Sequence, residues 1–172
     1  MSIQEILSDK TLKPKAKTET ISSLLLGKKI SIDELITFAA AAKDPAKATC
    51  IDALEFVTKQ NPDAADKACL AFVSQMLVSK APRVKWESAR VIGNIAHLFP
   101  ASLDEAINNL LTNSEHPGTV VRWSAAYALG EILKLKTKHN KDLIPAIEAI
   151  CKREEKNSIR KIYLDALKKS AK

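Results

Sequence analysis

Apolar residues recur every three to four positions along most of the chain, which is the period of a helix with one buried face. The clearest stripe runs through Val121, Ala125, Ala128, Leu129 and Ile132. Ala, Leu, Ile, Lys and Glu are abundant and only 4 of the 172 residues are glycine, so helices are favoured over a turn-rich β fold. The pattern predicts an all-α protein of about ten helices.

Residues that cap helix N-termini mark several of the predicted helix starts. Three capping boxes, in which a serine is followed three residues later by a glutamate, begin at Ser2, Ser31 and Ser102. Asn61, which precedes a proline, is typical of another start. Asp142 is the expected cap of the ninth helix, which would place Pro145 in the first turn, where a proline is tolerated.

The sequence also repeats itself. Val84–Ile95 matches Val121–Ile132 at an offset of 37 residues, and weaker copies begin at Ala46 and Ile159, 38 residues before and after this pair. Each copy is the second helix of an antiparallel pair, and pairs must stack because a single pair cannot bury both its faces. We expect one domain over residues 1–172, with pairs at 2–26, 31–59, 62–98, 101–135 and 142–170.

Val121–Ile132 resembles the pattern V-R-x-x-A-x-x-A-L-G-x-L of the second helix in HEAT repeats, and Val84–Ile95 fits nearly as well with Lys85 for the arginine. The clear match covers residues 82–135, and the chain is similar to the short bacterial forms of this superfamily. The resemblance implies a right-handed α-α superhelix. It implies little about function, since HEAT-like proteins are mostly adaptors and scaffolds, and a minority resemble enzymes such as alkylpurine DNA glycosylases.

Composition argues against several classes of protein. No stretch of about 18 apolar residues is present to span a membrane, and the N-terminal residues lack the features of a signal peptide. Three widely spaced cysteines, Cys50, Cys69 and Cys151, fit reduced thiols in the cytoplasm better than a disulfide framework. The histidines show no metal-ligand spacing, and neither a phosphate-binding loop nor a nucleophile elbow is present. We expect no metal, no cofactor and no enzymatic activity.

The net charge of +7 belongs to one end of the chain. Residues 1–132 hold 15 basic and 15 acidic side chains, whereas residues 133–172 hold 12 basic and 5 acidic ones. A basic groove along the whole chain is therefore not supported. The basic end is either a solvated terminal cap or a site that attracts an acidic partner.

Two tryptophans form the first candidate site. Trp86 and Trp123 occupy equivalent positions in consecutive repeats, so they should lie about 10 Å apart on neighbouring helices, off the main apolar stripe. Arg90, Tyr127 and Glu87 should surround them, and tryptophan with arginine in one patch is typical of binding anchors. The alternative is structural, with both indoles packed between repeats next to the small glycines.

A basic ladder forms the second candidate site. Lys47, Lys85, Arg122 and Arg160 recur once per repeat at the same position. Such a ladder could follow a phosphate backbone or an acidic peptide. The resemblance to HEAT repeats implies instead a structural role, in which these residues bond to the inter-helix turns of adjacent repeats.

These observations favour a non-enzymatic, cytoplasmic interaction module that binds another protein or a peptide on the concave surface of a solenoid. The alternative is nucleic-acid binding, including a DNA glycosylase-like activity with Glu87, and secondarily Glu131, as the carboxylate. The neutral charge of residues 1–132 argues against it, because duplex binding depends on phosphate neutralisation. A third interpretation is a terminal piece of a larger assembly, joined end to end through an exposed face.

Overall fold

The computed structural model describes all 172 residues and contains ten α-helices and no strand. The helices are α1 (Ile3–Ser8), α2 (Pro14–Leu26), α3 (Ile32–Ala41), α4 (Asp44–Gln60), α5 (Lys67–Met76), α6 (Pro82–Ile95), α7 (Asp104–Asn113), α8 (Thr119–Lys134), α9 (Asn140–Arg153) and α10 (Asn157–Ser170). The all-α class expected from the hydrophobic period is confirmed. None of these helices carries an apolar run long enough for a membrane crossing.

The helices pack in two layers. The even-numbered helices lie side by side in chain order, so that α4 contacts α2 and α6, and α8 contacts α6 and α10. Each odd-numbered helix packs against the even-numbered helix that follows it. Successive even-numbered helices approach each other more closely than successive odd-numbered ones, so the stack curves toward the even-numbered layer. The exposed face of that layer is called the inner surface below.

One hydrophobic core runs the length of the stack. A cluster of 40 buried apolar residues extends from Ile3 in α1 to Ala166 in α10. Leu54, Ile92 and Leu129 occupy the same repeat position in α4, α6 and α8, and each is 0% exposed. Burying a side chain of this size contributes about 1.5–3 kcal/mol. The sequence repeat therefore exists because each helix pair must offer the same apolar positions to the next.

Two of the three expected capping boxes are confirmed and one is wrong. The hydroxyls of Ser2 and Ser31 accept hydrogen bonds from the backbone N–H three residues on, and the glutamates there accept from the serine N–H. Ser102 does not cap α7, because its own N–H donates to the Phe99 carbonyl in a turn, over 3.0 Å. Leu103, which is fully buried, then begins the helix in place of the serine.

Two other expected helix starts need correction. Asn61 leads only into a short 3₁₀ turn at Pro62–Ala64, and α5 begins at Lys67, capped by Asp66, whose carboxylate accepts the Cys69 N–H over 2.9 Å. The expected start at Asn61 is therefore about five residues too early.

The last pair also begins earlier than expected. The helix α9 starts at Asn140, because the His139 carbonyl already accepts the N–H groups of Asp142 and Leu143 over 3.1 and 2.9 Å. Asp142 is thus inside the first turn and is not the cap. Pro145 lies one turn further on, inside the helix, where it leaves the Lys141 carbonyl without a helical donor.

Candidate binding surface

The two tryptophans lie on the inner surface, on α6 and α8. Trp86 is half-buried and its Nε1 donates to Glu87 Oε1 over 2.8 Å. Trp123 is 39% exposed and stacks on Tyr127, with ring centroids 6.1 Å apart and planes inclined by 8°. Two flat, partly solvent-accessible aromatic groups on adjacent helices offer a contact area that keeps its shape without a partner.

Tyr127 owes its position to a glycine on the neighbouring helix. A Cβ atom on Gly93 would lie 2.2 Å from Tyr127 Cε2, so the tyrosine ring fills the space that any larger residue would occupy. The Tyr127 hydroxyl donates to Asn94 Oδ1 over 2.6 Å, and burial raises the pKa of this tyrosine to about 12. The glycine of this repeat thus accommodates a tyrosine, whereas the structural alternative placed the indoles there.

Asn94 extends the contact to the next helix. Its Nδ2 donates to the Glu55 carbonyl over 3.2 Å and to Thr58 Oγ1 over 3.1 Å, both on α4. The amide therefore makes three of its four possible hydrogen bonds, because its oxygen also accepts the Tyr127 hydroxyl. A single buried amide fixes the relative positions of α4, α6 and α8 beneath the aromatic groups.

Charged groups form a second network on the same surface. Arg90 approaches Glu55 Oε1 at 3.1 Å and Glu87 Oε1 at 3.5 Å. One turn earlier on the same face of α4, Asp52 Oδ2 accepts the Thr18 hydroxyl over 3.1 Å and lies 3.5 Å from Arg83. Asp52 and Glu55 are thus compensated by two arginines of α6, so this part of the inner surface has little uncompensated charge.

Glu87 differs from the other carboxyl groups. It is 4% exposed, and its Oε2 atom has no hydrogen-bond partner. Burial, and then the neighbouring Asp52, raises the pKa of Glu87 to about 8, while Arg90 and Trp86 act in the opposite direction. The raised pKa favours the protonated carboxyl, which can donate to Asp52. It is enclosed beneath Trp86 and Arg90, and a flipped base could not reach it without displacing them.

Most of the basic ladder faces the inter-helix turns. Lys85 Nζ donates to the Leu77 carbonyl and to Asn113 Oδ1, both over 3.1 Å. Lys17, which the sequence repeat did not reveal, makes the corresponding bond to the Leu7 carbonyl over 2.7 Å. Lys47 is half-buried, and its side chain makes no hydrogen bond within the chain.

The arginines of the ladder are held more tightly. Arg122 donates to the His116 and Pro117 carbonyls over 3.1 and 3.0 Å, and to both carboxylate oxygens of Glu154 over 3.0 and 3.4 Å. Arg160 donates to the Glu154 backbone carbonyl with two of its nitrogens. These side chains are fully engaged within the protein.

A cavity, a metal site and a reactive thiol are the other kinds of candidate site, and none of them involves the two tryptophans or the basic ladder. A cavity of about 540 Å³ lies where the C-terminal ends of α2 and α4 meet the start of α3, and it contains none of the candidate residues. No three His, Cys, Asp or Glu side chains converge where they could hold a metal ion. Cys50 and Cys69 are buried free thiols, and burial raises the pKa of each to about 12, so neither is a reactive thiolate at neutral pH.

Comparison with solved structures identifies the architecture. A designed armadillo repeat protein in complex with the peptide (KR)4 superposes with a TM-score of 0.74 at 15% identity, over 98% of this chain and 80% of that chain. The fold is an armadillo-like α-solenoid. A second design, made for modular peptide recognition, gives a TM-score of 0.76 at 16% identity, over 97% and 80% of the two chains. An engineered protein gives 0.75 at 16% identity, over 99% of this chain and 47% of that chain.

At these identities the comparison shows the fold of the solenoid alone. No protein-family model and no curated protein sequence matches the chain. Armadillo and HEAT repeats are related α-solenoids, so the helix-pair repeat is confirmed, while membership of the HEAT superfamily itself stays a prediction.

The solenoid register explains the residues that sequence reasoning missed. Asp52, Arg90 and Tyr127 occupy the same position in α4, α6 and α8, and residues at or near one position meet across neighbouring helices. Thr18, Asp52, Glu55 and Asn94 therefore join the network around the tryptophans. The available signal was the pair of opposite charges at one register position, Asp52 in α4 and Arg90 in α6.

Proposed function

We propose that this solenoid is a non-enzymatic interaction module whose inner surface binds an extended segment of another protein, with Trp86, Arg90, Trp123 and Tyr127 as contact residues and Glu87 as a support beneath them. The observation that carries the proposal is the stacked, partly exposed Trp123–Tyr127 pair on α8, the helix that packs against the α6 helix of Trp86. Tryptophan, tyrosine and arginine are the residues that most often dominate the free energy of protein–protein binding.

The rigidity of this surface supports the proposal. Tyr127 is fixed by Gly93 and by its bond to Asn94, and Arg90 is fixed between Glu55 and Glu87. Side chains that are already ordered lose little conformational entropy on binding, which otherwise costs about 0.5–1.5 kcal/mol per side chain. The surface is therefore pre-organised for a partner.

The structural neighbours are consistent with this function. One designed armadillo repeat protein is in complex with a peptide, and another was designed for modular peptide recognition. We further infer a cytoplasmic location, because all three cysteines are free thiols.

The nucleic-acid alternative has less support on this surface. Lys85, Arg122 and Arg160 donate to acceptors within the chain, so they would have to leave these partners to contact phosphates. A labelled duplex DNA should therefore show no binding near about 50 mM salt. Tight binding that weakens steeply with salt would instead favour this alternative.

The proposal can be tested by selecting a random 16-residue peptide library, displayed on phage, against the full chain. Peptides that are enriched should lose binding to the double variant Trp86→Ala and Trp123→Ala by roughly a hundredfold, since each anchor contributes about 1–2 kcal/mol or more. The control is Val78→Ala, which truncates a 66% exposed apolar side chain outside the candidate surface. Far-UV circular dichroism should show unchanged helicity in all variants.

Two results would contradict the site assignment. If the double variant unfolds, the indoles belong to the core and the binding role fails. If it stays helical and binds the selected peptides as well as the parent chain does, the partner contacts another surface.

A further inference from the structure

We propose that the partner segment is acidic at the end that lies over α10, with its carboxylates on Lys161 and Lys168. This inference rests on the proposed function, because it extends the same inner surface by one helix. It assigns a chemistry and a direction to the segment: apolar contacts over the tryptophans, followed by negative charge toward the C-terminal repeat.

The repeat register places lysines next to the aromatic groups. Lys161, Asp165 and Lys168 follow Trp123, Tyr127 and Gly130 at an offset of 38 residues. A Cβ atom on Gly130 would contact Ala166 and Ile162 at 3.4 and 3.7 Å, which shows that these parts of α8 and α10 pack directly together. Neighbouring helices lie about 8–10 Å apart, so an extended segment on Trp123 reaches Lys161 within a few residues.

The lysines of α10 are free, whereas the arginines of the chain are not. All five arginines form an ion pair or a hydrogen bond: Arg83, Arg90, Arg122, Arg153 and Arg160. Lys161 and Lys168 are exposed and belong to no ion pair within 4 Å. A carboxylate of a partner would therefore find these ammonium groups without displacing an internal acceptor.

The opposite half of the inner surface gives the segment its direction. There Asp52 and Glu55 are neutralised by Arg83 and Arg90, so a charged partner residue gains little. On α10 the exposed charge is basic, with Asp165 as the single acidic residue between Asn157 and Ser170. The charge difference along the surface therefore favours a segment with its acidic residues at one end.

An acidic peptide fits this surface better than a nucleic acid does. A phosphate backbone carries charge at every nucleotide and gains from basic residues along the whole length of its path. Here the free basic strip is one helix wide, and two carboxylates elsewhere on the inner surface are already paired, Glu131 on α8 with Lys134 and Asp52 on α4 with Arg83. These pairs offer a continuous polyanion no free cation, whereas a peptide can place neutral residues over them.

The test uses the phage-selected 16-residue peptides and the full chain. Peptides enriched on the parent chain should contain more Asp and Glu than the starting library. Synthetic fluorescein-labelled copies, measured by fluorescence anisotropy, should bind about tenfold more weakly to the double variant Lys161→Glu and Lys168→Glu, and also when their own acidic residues are replaced by Asn and Gln. The control is Lys10→Glu with Lys80→Glu, which changes the net charge equally at exposed lysines away from α10.

The outcomes separate this inference from the proposed function. Selected peptides that depend on Trp123 but are neutral or basic would overturn the acidic partner and leave the interaction module standing. Equal losses in the α10 variant and in its charge control would also overturn it, since net charge alone would then be responsible. Tighter binding of a labelled 20-base-pair duplex than of the acidic peptides would assign the basic strip to nucleic acid.

Discussion

Alanine at Gly93 and alanine at Gly130 are the same substitution at the same repeat position, and we expect them to change stability in opposite directions. A Cβ atom on Gly93 would lie 2.2, 2.7 and 2.9 Å from three ring carbons of Tyr127. On Gly130 the nearest side-chain atom, Ala166 Cβ, is 3.4 Å away, which is ordinary van der Waals contact. The tyrosine ring must therefore move in the first variant, while nothing must move in the second.

The magnitudes follow from three contributions. Replacing a helical glycine by alanine stabilises a helix by about 1 kcal/mol, and this gain applies at both positions. At Gly93 overpacking costs about 1–3 kcal/mol, and displacing the ring breaks the Tyr127–Asn94 hydrogen bond, which contributes about 1 kcal/mol. The net expectation is a loss of about 1–3 kcal/mol for Gly93→Ala and a gain of about 1 kcal/mol for Gly130→Ala.

Urea unfolding followed by far-UV circular dichroism measures both changes in the free energy of unfolding, provided that the m-value stays constant. A third variant, Tyr127→Ala, isolates the cause. In that background the clash is absent, so Gly93→Ala should become neutral or stabilising, and the two substitutions should be strongly non-additive. Trp123 fluorescence should change in Gly93→Ala, because the indole loses its stacked neighbour.

The reasoning fails if Gly93→Ala is as stable as the parent chain, or if Gly130→Ala is destabilised to the same extent. The first result would mean that the ring relaxes without cost. The second would mean that glycine is needed at this position for its backbone, independently of what packs against it.

Two further predictions concern buried charge. Arg122→Ala should lower the free energy of unfolding, measured in urea, by about 3–5 kcal/mol, because it leaves the buried Glu154 carboxylate unpaired. Arg83→Ala should lower it by about 1 kcal/mol or less, because its ion pair is partly exposed. Equal losses in the two variants would contradict this reasoning. Because the pKa of Glu87 is raised from 4.5 to about 8, the folded chain holds a proton that the unfolded chain releases, so stability should fall as the pH rises from about 5 to 8. Glu87→Gln should flatten that dependence, and an unchanged slope would show that another group causes it.

The helices were predictable because each was specified locally. The period of Val121, Ala125 and Leu129 is a property of neighbouring residues. The predicted helix starts were wrong where packing against other parts of the chain outweighed a local signal. Ser102 is a good cap by sequence, yet the burial of Leu103 sets the start of α7. A capping box contributes about 1 kcal/mol, which the burial of one leucine can exceed.

The candidate surface was predictable only in part. The positions of Trp86 and Trp123 followed from the repeat, since it fixes which residues share a face. The contacts of Arg90 with Glu55 and of Tyr127 with Asn94 join residues 35 and 33 positions apart. Their geometry depends on how far neighbouring helices shift along each other, which no local pattern specifies. The same holds for the protonation of Glu87, which depends on burial from several helices.

The bonds of Lys85 and Arg122 have a consequence for changing the length of this chain. Each basic side chain starts on one helix pair and ends at the turn of the next: Lys85 reaches Asn113, and Arg122 reaches Glu154. Removing the final helix pair would therefore expose an apolar face and also leave the guanidinium of Arg122 without its partner, the Glu154 carboxylate. Any repeat that is added to this stack must provide a hydrogen-bond acceptor at its own turn. Repeats can therefore be exchanged only where the basic side chain of one helix pair still meets an acceptor in the next pair.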